Sequence, residues 1–209
     1  MQNHIQKYRI FGRTLSRTRK KIDLPKYNNS ILKYKITNLN LNEKYILDIG
    51  SGNGETTNFL ALKYFDHKII SCDKYINGNI NLINNIEKNK ITNVYIHNGN
   101  ANEIIDNLLI ENCLKLIFIF FPDPWPKKKH HKRRLINKIF LKKLYKFLKI
   151  NGEIIIATDS MSYLREILKI IHNLTDLYEW TNQGNFYLSI KDFFDLETKF
   201  YKKAIISGR

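Results

Sequence analysis

The chain has 209 residues, 43 % of them apolar, which suits one domain with a full core and excludes wholesale disorder. Its formal net charge is +16, which favours polyanionic partners. The Lys, Asn and Ile bias also runs through stretches such as NINLINNIEKNK at 79–90, so local clusters of charge say more than the total. Cys72 and Cys113 form no CxxC pair, which points to a reducing compartment without a disulfide framework. MQNHIQKYRIFGR lacks an apolar signal core, and the run from Leu116 to Phe121 is too short to span a bilayer. The expectation is a soluble cytoplasmic protein with no membrane partner.

Residues 1–29 read as a basic arm whose only acid is Asp23, and residues 30–209 as a single domain. Residues 30–40 carry the pattern of a weak helix. Strand-length apolar runs then alternate with segments of helical period. The runs are YILDIG (45–50), KIISCD (68–73), NVYIH (93–97), KLIFIFF (115–121) and EIIIATD (153–159). The Asn151–Gly152 pair is expected to stop a long helix that begins after residue 135 and to start the fifth strand. The aromatic-rich stretch 178–206 suggests a closing antiparallel pair. The predicted class is therefore α/β: a doubly wound, mostly parallel sheet covered on both faces, with an antiparallel C-terminal pair.

In such a sheet, ligands sit beyond the carboxyl ends of the strands. The unusual residues fall there: Asp48 and the glycines after strand one, Asp73 after strand two, Asn100 after strand three, Asp123 after strand four and Asp159 after strand five. LDIGSGNGE (47–55) places Gly50, Gly52 and Gly54 as GxGxG. Glycines let a ligand approach the main chain closely, although such clusters are also common in structural turns. A dinucleotide fingerprint requires its third glycine at position 55, which is Glu55, and an acid at a helix start disfavours a pyrophosphate. Asp73, at the next strand end, can accept both hydroxyls of a ribose. A nucleoside cofactor without phosphates fits this set, and S-adenosylmethionine is one.

FPDPWPKKKHHKRR (121–134) follows the most apolar run of the chain. Pro122, Pro124 and Pro126 each fix a dihedral, so the turn is stiff and can aim Asp123. Asp123 alone could equally be a turn or helix-cap aspartate, and Trp125 a core aromatic. Every residue from Lys127 to Arg134 can carry positive charge. Adjacent His130 and His131 point different ways on a helix and make a poor metal pair, so no metal is expected.

This stretch resembles the signature of the bacterial tRNA (guanine-N7-)-methyltransferases, which modify a variable-loop guanosine of tRNA. LDIGSGNG resembles that family's first motif, ATD at 157–159 its strand-five motif, ETKF at 197–200 its C-terminal motif and FGRTLSRTR at 11–19 its N-terminal arm. The resemblance implies a class I S-adenosylmethionine-dependent methyltransferase of Rossmann-like fold, acting on tRNA as monomer or homodimer without an obligate protein partner. It implies that Asp48, Gly50, Gly52, Gly54, Asp73, Asn100 and Asp123 bind the cofactor, with Asp123 also catalytic. It implies that Lys127, Asp159 and Thr198 contact the substrate, and that Lys129, His130, His131, Lys132, Arg133 and Arg134 contact RNA. The chain departs from the family at Asn100, often Asp there, and at Tyr201, where the C-terminal motif usually ends in Glu.

Guanine N7 carries a lone pair and needs no base to free it, so the demands are positioning and stabilisation of the positive charge that develops. Asp123 or Asp159 can serve that charge or hold the guanine N1–H and N2–H₂ edge. Lys and Arg at 7–21 are expected to clamp the RNA from the other side. An acid-Pro-x-aromatic turn also occurs in amino-methyltransferases acting on exocyclic amines, and a non-enzymatic RNA-binding protein on the same fold is a further alternative. An NAD-dependent oxidoreductase fails on the glycine spacing.

Overall fold

The computed structural model describes residues 11, 12, 14, 15, 23–181, 201 and 202. The predicted antiparallel C-terminal pair lies almost wholly outside the described residues. Among the described residues five strands form one parallel sheet: β1 (Tyr45–Ile49), β2 (Lys68–Cys72), β3 (Val94–His97), β4 (Leu114–Phe120) and β5 (Leu148–Ala157), in the order β3-β2-β1-β4-β5. The order reverses between β1 and β4, so the crevice for a ligand opens there, at the carboxyl ends.

Helices cover both faces. Ile46, Ile69, Ile96, Leu116 and Phe118 point to one side, against Tyr27 of α1 (Leu24–Leu32), Leu60 of α2 (Glu55–Lys63) and Leu82, Ile83 and Ile86 of α3 (Ile76–Asn89). Leu47, Ile49, Ile70, Ile117 and Ile119 point to the other, against Ile104 of α4 (Ala101–Asn107), Phe140, Leu141 and Leu144 of α5 (Lys138–Tyr145) and Tyr163 and Ile167 of α6 (Met161–His172). Burial on both faces explains why the central strands are apolar without alternation. The β3 edge is covered in part by the chain after α1, where Ile96 N–H donates to the Tyr34 carbonyl at 2.8 Å. No helix among the described residues is long and apolar enough to cross a membrane.

Two expected elements are corrected. The first helix is not at 30–40 but at Leu24–Leu32, because Asp23 caps it, accepting the Lys26 N–H at 3.0 Å, and Pro25 sits in its first turn. The helix after residue 135 is not long and is not stopped by Asn151–Gly152. It is the eight-residue α5, preceded by a 3-10 turn over Lys128–Arg133, and β5 has already begun at Leu148. Asn151, at φ 58°, lies inside β5, where the pairing jumps from Leu114–Leu148 to Leu116–Glu153. The pair makes an irregularity in a strand, a second common use of a left-handed Asn followed by Gly.

Candidate active site

Asp48 is the penultimate residue of β1, and its neighbours in the sheet are Ser71 of β2 and Phe118 of β4. The carboxylate is 1 % exposed and accepts a hydrogen bond from the Thr57 hydroxyl of α2 at 2.7 Å. Burial pushes its pKa up from 3.8 to about 7, the Thr57 bond lowers it in part, and Asp73 nearby raises it further. The glycine loop follows. Gly50, Gly52 and Gly54 all take positive φ, and Gly54 N-caps α2 from the left-handed region. A Cβ on Gly50 would meet no protein atom within 4 Å, so its Cα faces open space beside the main chain. Ser51, Thr56, Phe120 and Phe121 line the same cleft.

Asp73 closes the loop from β2. Its Oδ2 accepts the Gly52 N–H at 2.8 Å and its Oδ1 the Tyr75 N–H at 2.9 Å. Burial raises its pKa, opposed by the backbone donors and by Lys74. Each oxygen retains a lone pair for a hydroxyl donor. Asn79 of α3 supports this corner, its amide donating to the Asp73 carbonyl at 3.1 Å and to Asn98 Oδ1 at 3.2 Å. Gly78 lets α3 come this close, since a Cβ there would sit 1.8 Å from the Gly52 carbonyl oxygen. Asn100 is the N-cap of α4. Its Oδ1 accepts the Asn102 N–H at 2.8 Å, and Glu103 returns a bond to the Asn100 N–H at 2.9 Å. The cap commits the amide oxygen and leaves Nδ2 as the group to offer a base edge.

The turn after β4 carries Asp123 on the surface. Phe121 and Trp125 adopt φ 50° and 44°, each directly before a proline. Aromatic residues avoid that region and pre-proline residues avoid it further, so the turn holds about 1–3 kcal/mol of strain at each. The described part of the arm crosses this turn. A Cβ on Gly12 would meet Asp123 Oδ2 at 3.0 Å and Lys74 Nζ at 3.9 Å. Lys74 donates to the Phe11 carbonyl, and Ile76 N–H to the Thr14 carbonyl at 3.0 Å. The Arg133 guanidinium lies 5.0 Å from both the Phe11 and the Trp125 rings. Asp73, Asp123 and Glu103 stabilise the Lys74 ammonium, but burial outweighs them and lowers its pKa.

The structure thus gathers Asp48, the three glycines, Asp73, Asn100 and Asp123 at the carboxyl ends, with Asp159 just past the end of β5. In the basic block, Lys127, Lys129 and Lys132 are exposed, while His130 and His131 are half-buried. His130 packs edge-on against Trp125 at 5.9 Å. Arg134 is a correction to the RNA-contact set. It is 3 % exposed, and its guanidinium is turned inward to Pro124, Glu166 and Ser162. Tyr201, the departure from the family's C-terminal motif, is a buried side chain, 7 % exposed. Thr198 lies outside the described residues. Sequence reasoning missed Lys74, Gly78, Asn79 and the Phe11–Gly12 crossing. Their common signal is proximity to Asp73 and to the basic arm, which no spacing rule reads.

A second cavity, about 350 Å³, lies at the opposite end of the sheet between Asn42–Lys44, Phe65–Lys68 and Thr92, Asn93 and Tyr95. Its charged groups are paired with one another, Lys44 with Asp66 and Lys68 with Glu43. The cleft at the glycine loop is smaller but sits at the switch point of the sheet, beside Asp48, Asp73 and the glycines, and is the better candidate.

Comparison with known proteins agrees with this geometry. The family described as "Putative methyltransferase" matches residues 42–209. The chain is similar to a protein of Wolbachia pipientis wMel named tRNA (guanine-N(7)-)-methyltransferase, 35 % identical over 199 residues, which span 88 % of this chain and 89 % of that one. A protein of the same name from Buchnera aphidicola subsp. Baizongia pistaciae is 35 % identical over 190 residues, 86 % of this chain and 78 % of the relative. Among solved structures, the precorrin-6y C5,15-methyltransferase of Geobacter metallireducens GS-15 superposes with a TM-score of 0.50 at 14 % identity, over 76 % of each chain, which shows the shared fold alone.

Proposed function

The chain belongs to the tRNA (guanine-N(7)-)-methyltransferase family, and on that premise we propose that it transfers a methyl group from S-adenosylmethionine to N7 of a variable-loop guanosine in tRNA. The observation that carries the reading is the pairing of a buried carboxylate and glycine cradle at β1 with an aimed carboxylate, Asp123, on a strained turn at β4.

The residues present fit the cofactor. Gly50 faces an open cradle that a Cβ would enter, and both oxygens of Asp73 are oriented by backbone N–H groups with capacity for ribose hydroxyls. Asp48 lies at the strand end beneath the cradle, where a cationic amino-acid end would draw it into its charged form. The Asn100 amide nitrogen, which the helix cap does not use, is the donor available to the adenine edge. S-adenosylmethionine, when bound, supplies an activated methyl group.

The protein's own work is then placement and charge. Guanine N7 attacks through its lone pair, so no residue has to remove a proton first. Asp123 holds the base edge or the positive charge that spreads over N7 and C8, with Asp159, just past the end of β5, as the alternative carboxylate for either task. Orienting the two reactants can supply about 7–11 kcal/mol in favourable cases. Lys127, Lys129 and Lys132 lie on the surface beside the turn, where ammonium groups meet phosphates and fix the RNA without reading bases.

The test is label transfer from S-adenosylmethionine to unmodified tRNA transcript by wild type and by Asp123→Ala. The expected result is uptake by wild type and a loss of about 100-fold or more in the variant, with cofactor binding retained. Wild-type turnover in the variant would remove Asp123 from the reaction, and absence of uptake by wild type would remove the reading itself.

A further inference from the structure

We propose that Arg134 is a positioning residue: from inside the protein it fixes the backbone beside Asp123 and so aims that carboxylate. The inference rests on the role given to Asp123 above. It concerns a residue that a run of cations from Lys127 onward disguises as one more RNA contact.

The turn at 121–126 requires a tether. Two of its residues are held at positive φ, and its three prolines have no N–H with which to bond the body of the protein. Two hydrogen bonds flank Asp123. Before it, the Phe121 N–H donates to the Ala157 carbonyl of β5 at 2.8 Å. After it, the Pro124 carbonyl accepts from Arg134 Nε at 2.8 Å. Without the second bond, the strain in Trp125 can relax by swinging the backbone on the far side of Asp123.

Arg134 is itself fixed from α6. One terminal nitrogen pairs with the Glu166 carboxylate, and the other donates to the Ser162 hydroxyl at 3.2 Å. The guanidinium carbon sits 4.7 Å above the ring of Tyr163, which is fully buried and accepts the Ile136 N–H at 2.8 Å. A planar fork satisfies a carbonyl, a carboxylate and a hydroxyl at once, which a point-charge ammonium cannot. α6 starts just after Asp159, so Arg134 joins the turn of Asp123 to the segment that follows Asp159. The Phe121–Ala157 bond ties the near side of the turn to β5, and on the far side one side chain, Arg134, holds the two carboxylate-bearing segments together.

The experiment compares wild type with Arg134→Lys, alone and combined with Asp123→Glu, on the full chain. The expected result for Arg134→Lys is a fall of about 10- to 100-fold in kcat, the usual effect of misplacing a reacting group by about 1 Å. KM for tRNA and cofactor affinity should stay within about threefold. In the Asp123→Glu background, where the carboxylate is already misplaced, the same change should cost much less, so the two effects should not add. A second readout is independent of activity: in a Trp180→Phe background, acrylamide quenching of Trp125 should rise on Arg134→Lys. An unchanged kcat with raised KM for tRNA and a shallower salt dependence would make Arg134 an RNA contact and overturn the proposal. Additive effects, or a kcat loss matched by an equal loss of folded protein, would overturn it in favour of general stability. If wild type fails to methylate tRNA, the functional reading falls, and the quenching alone decides the tether: increased quenching supports it and unchanged quenching refutes it.

Discussion

Replacing Asp48 by Asn removes a carboxylate that the fold holds against its preference. The side chain keeps its shape, and the Thr57 hydroxyl keeps an acceptor. Burial raises the folded-state pKa from 3.8 to about 7, while the unfolded chain retains the ordinary value. Between those values the folded protein binds a proton that the unfolded chain has lost, so unfolding releases a proton and stability falls as pH rises. The penalty is absent below about pH 4, grows through the interval and is complete above about pH 7. At 1.36 kcal/mol per pH unit, the ceiling is about 4 kcal/mol. Urea unfolding of cofactor-free protein between pH 4.5 and 8.5 measures it. Asp48→Asn should exceed wild type by only about 1 kcal/mol at the acid end and by as much as about 4 kcal/mol at the alkaline end. The order should reverse for cofactor binding. Wild-type affinity should climb by up to about tenfold per pH unit up to about 7 and then level, as the cofactor's positive end recruits the charged carboxylate, while the variant stays flat and weak. A variant less stable than wild type at every pH, together with a pH-independent wild-type affinity, would refute the reasoning and place a fully ionised Asp48 in the free protein.

Gly78→Ala should weaken cofactor binding by about tenfold or more and cost about 1–3 kcal/mol of stability, because its Cβ would sit 1.8 Å from the Gly52 carbonyl and force α3 off the glycine loop. Calorimetric titration and urea melts check it, and a variant unchanged in both contradicts the close approach. The triple replacement of Lys127, Lys129 and Lys132 by Ala should weaken tRNA binding, flatten the plot of log affinity against log salt by about two to three, and leave cofactor affinity unchanged. Filter binding across a salt series measures it, and an unchanged slope removes these three from the RNA face.

The strands were legible because a sheet buried on both faces demands continuous apolar runs, and LDIGSG and LIFIFF supply them. The carboxyl-end rule then located Asp48, Asp73, Asn100 and Asp123 without any contact being known. What the sequence hid was tertiary. LKKLYKFLKI reads as one helix, yet α5 ends at Tyr145 because Leu148 pairs with Leu114 on β4. Asp23 and Pro25 move the first helix earlier than the apolar pattern suggests. Arg134 looks like its cationic neighbours until Glu166, 32 residues on, is brought beneath it. Tyr201, the departure from the C-terminal motif, is likewise a buried side chain.

The central claim is a methyl group placed on guanine N7 of tRNA. The most direct measurement incubates wild-type protein with an unmodified tRNA transcript and labelled S-adenosylmethionine, then reduces the RNA with borohydride and cleaves it with aniline, which cuts the chain at 7-methylguanosine. Label uptake with a cut in the variable loop is the predicted result. Label without a cut would move the methyl group to an exocyclic amine and contradict the account.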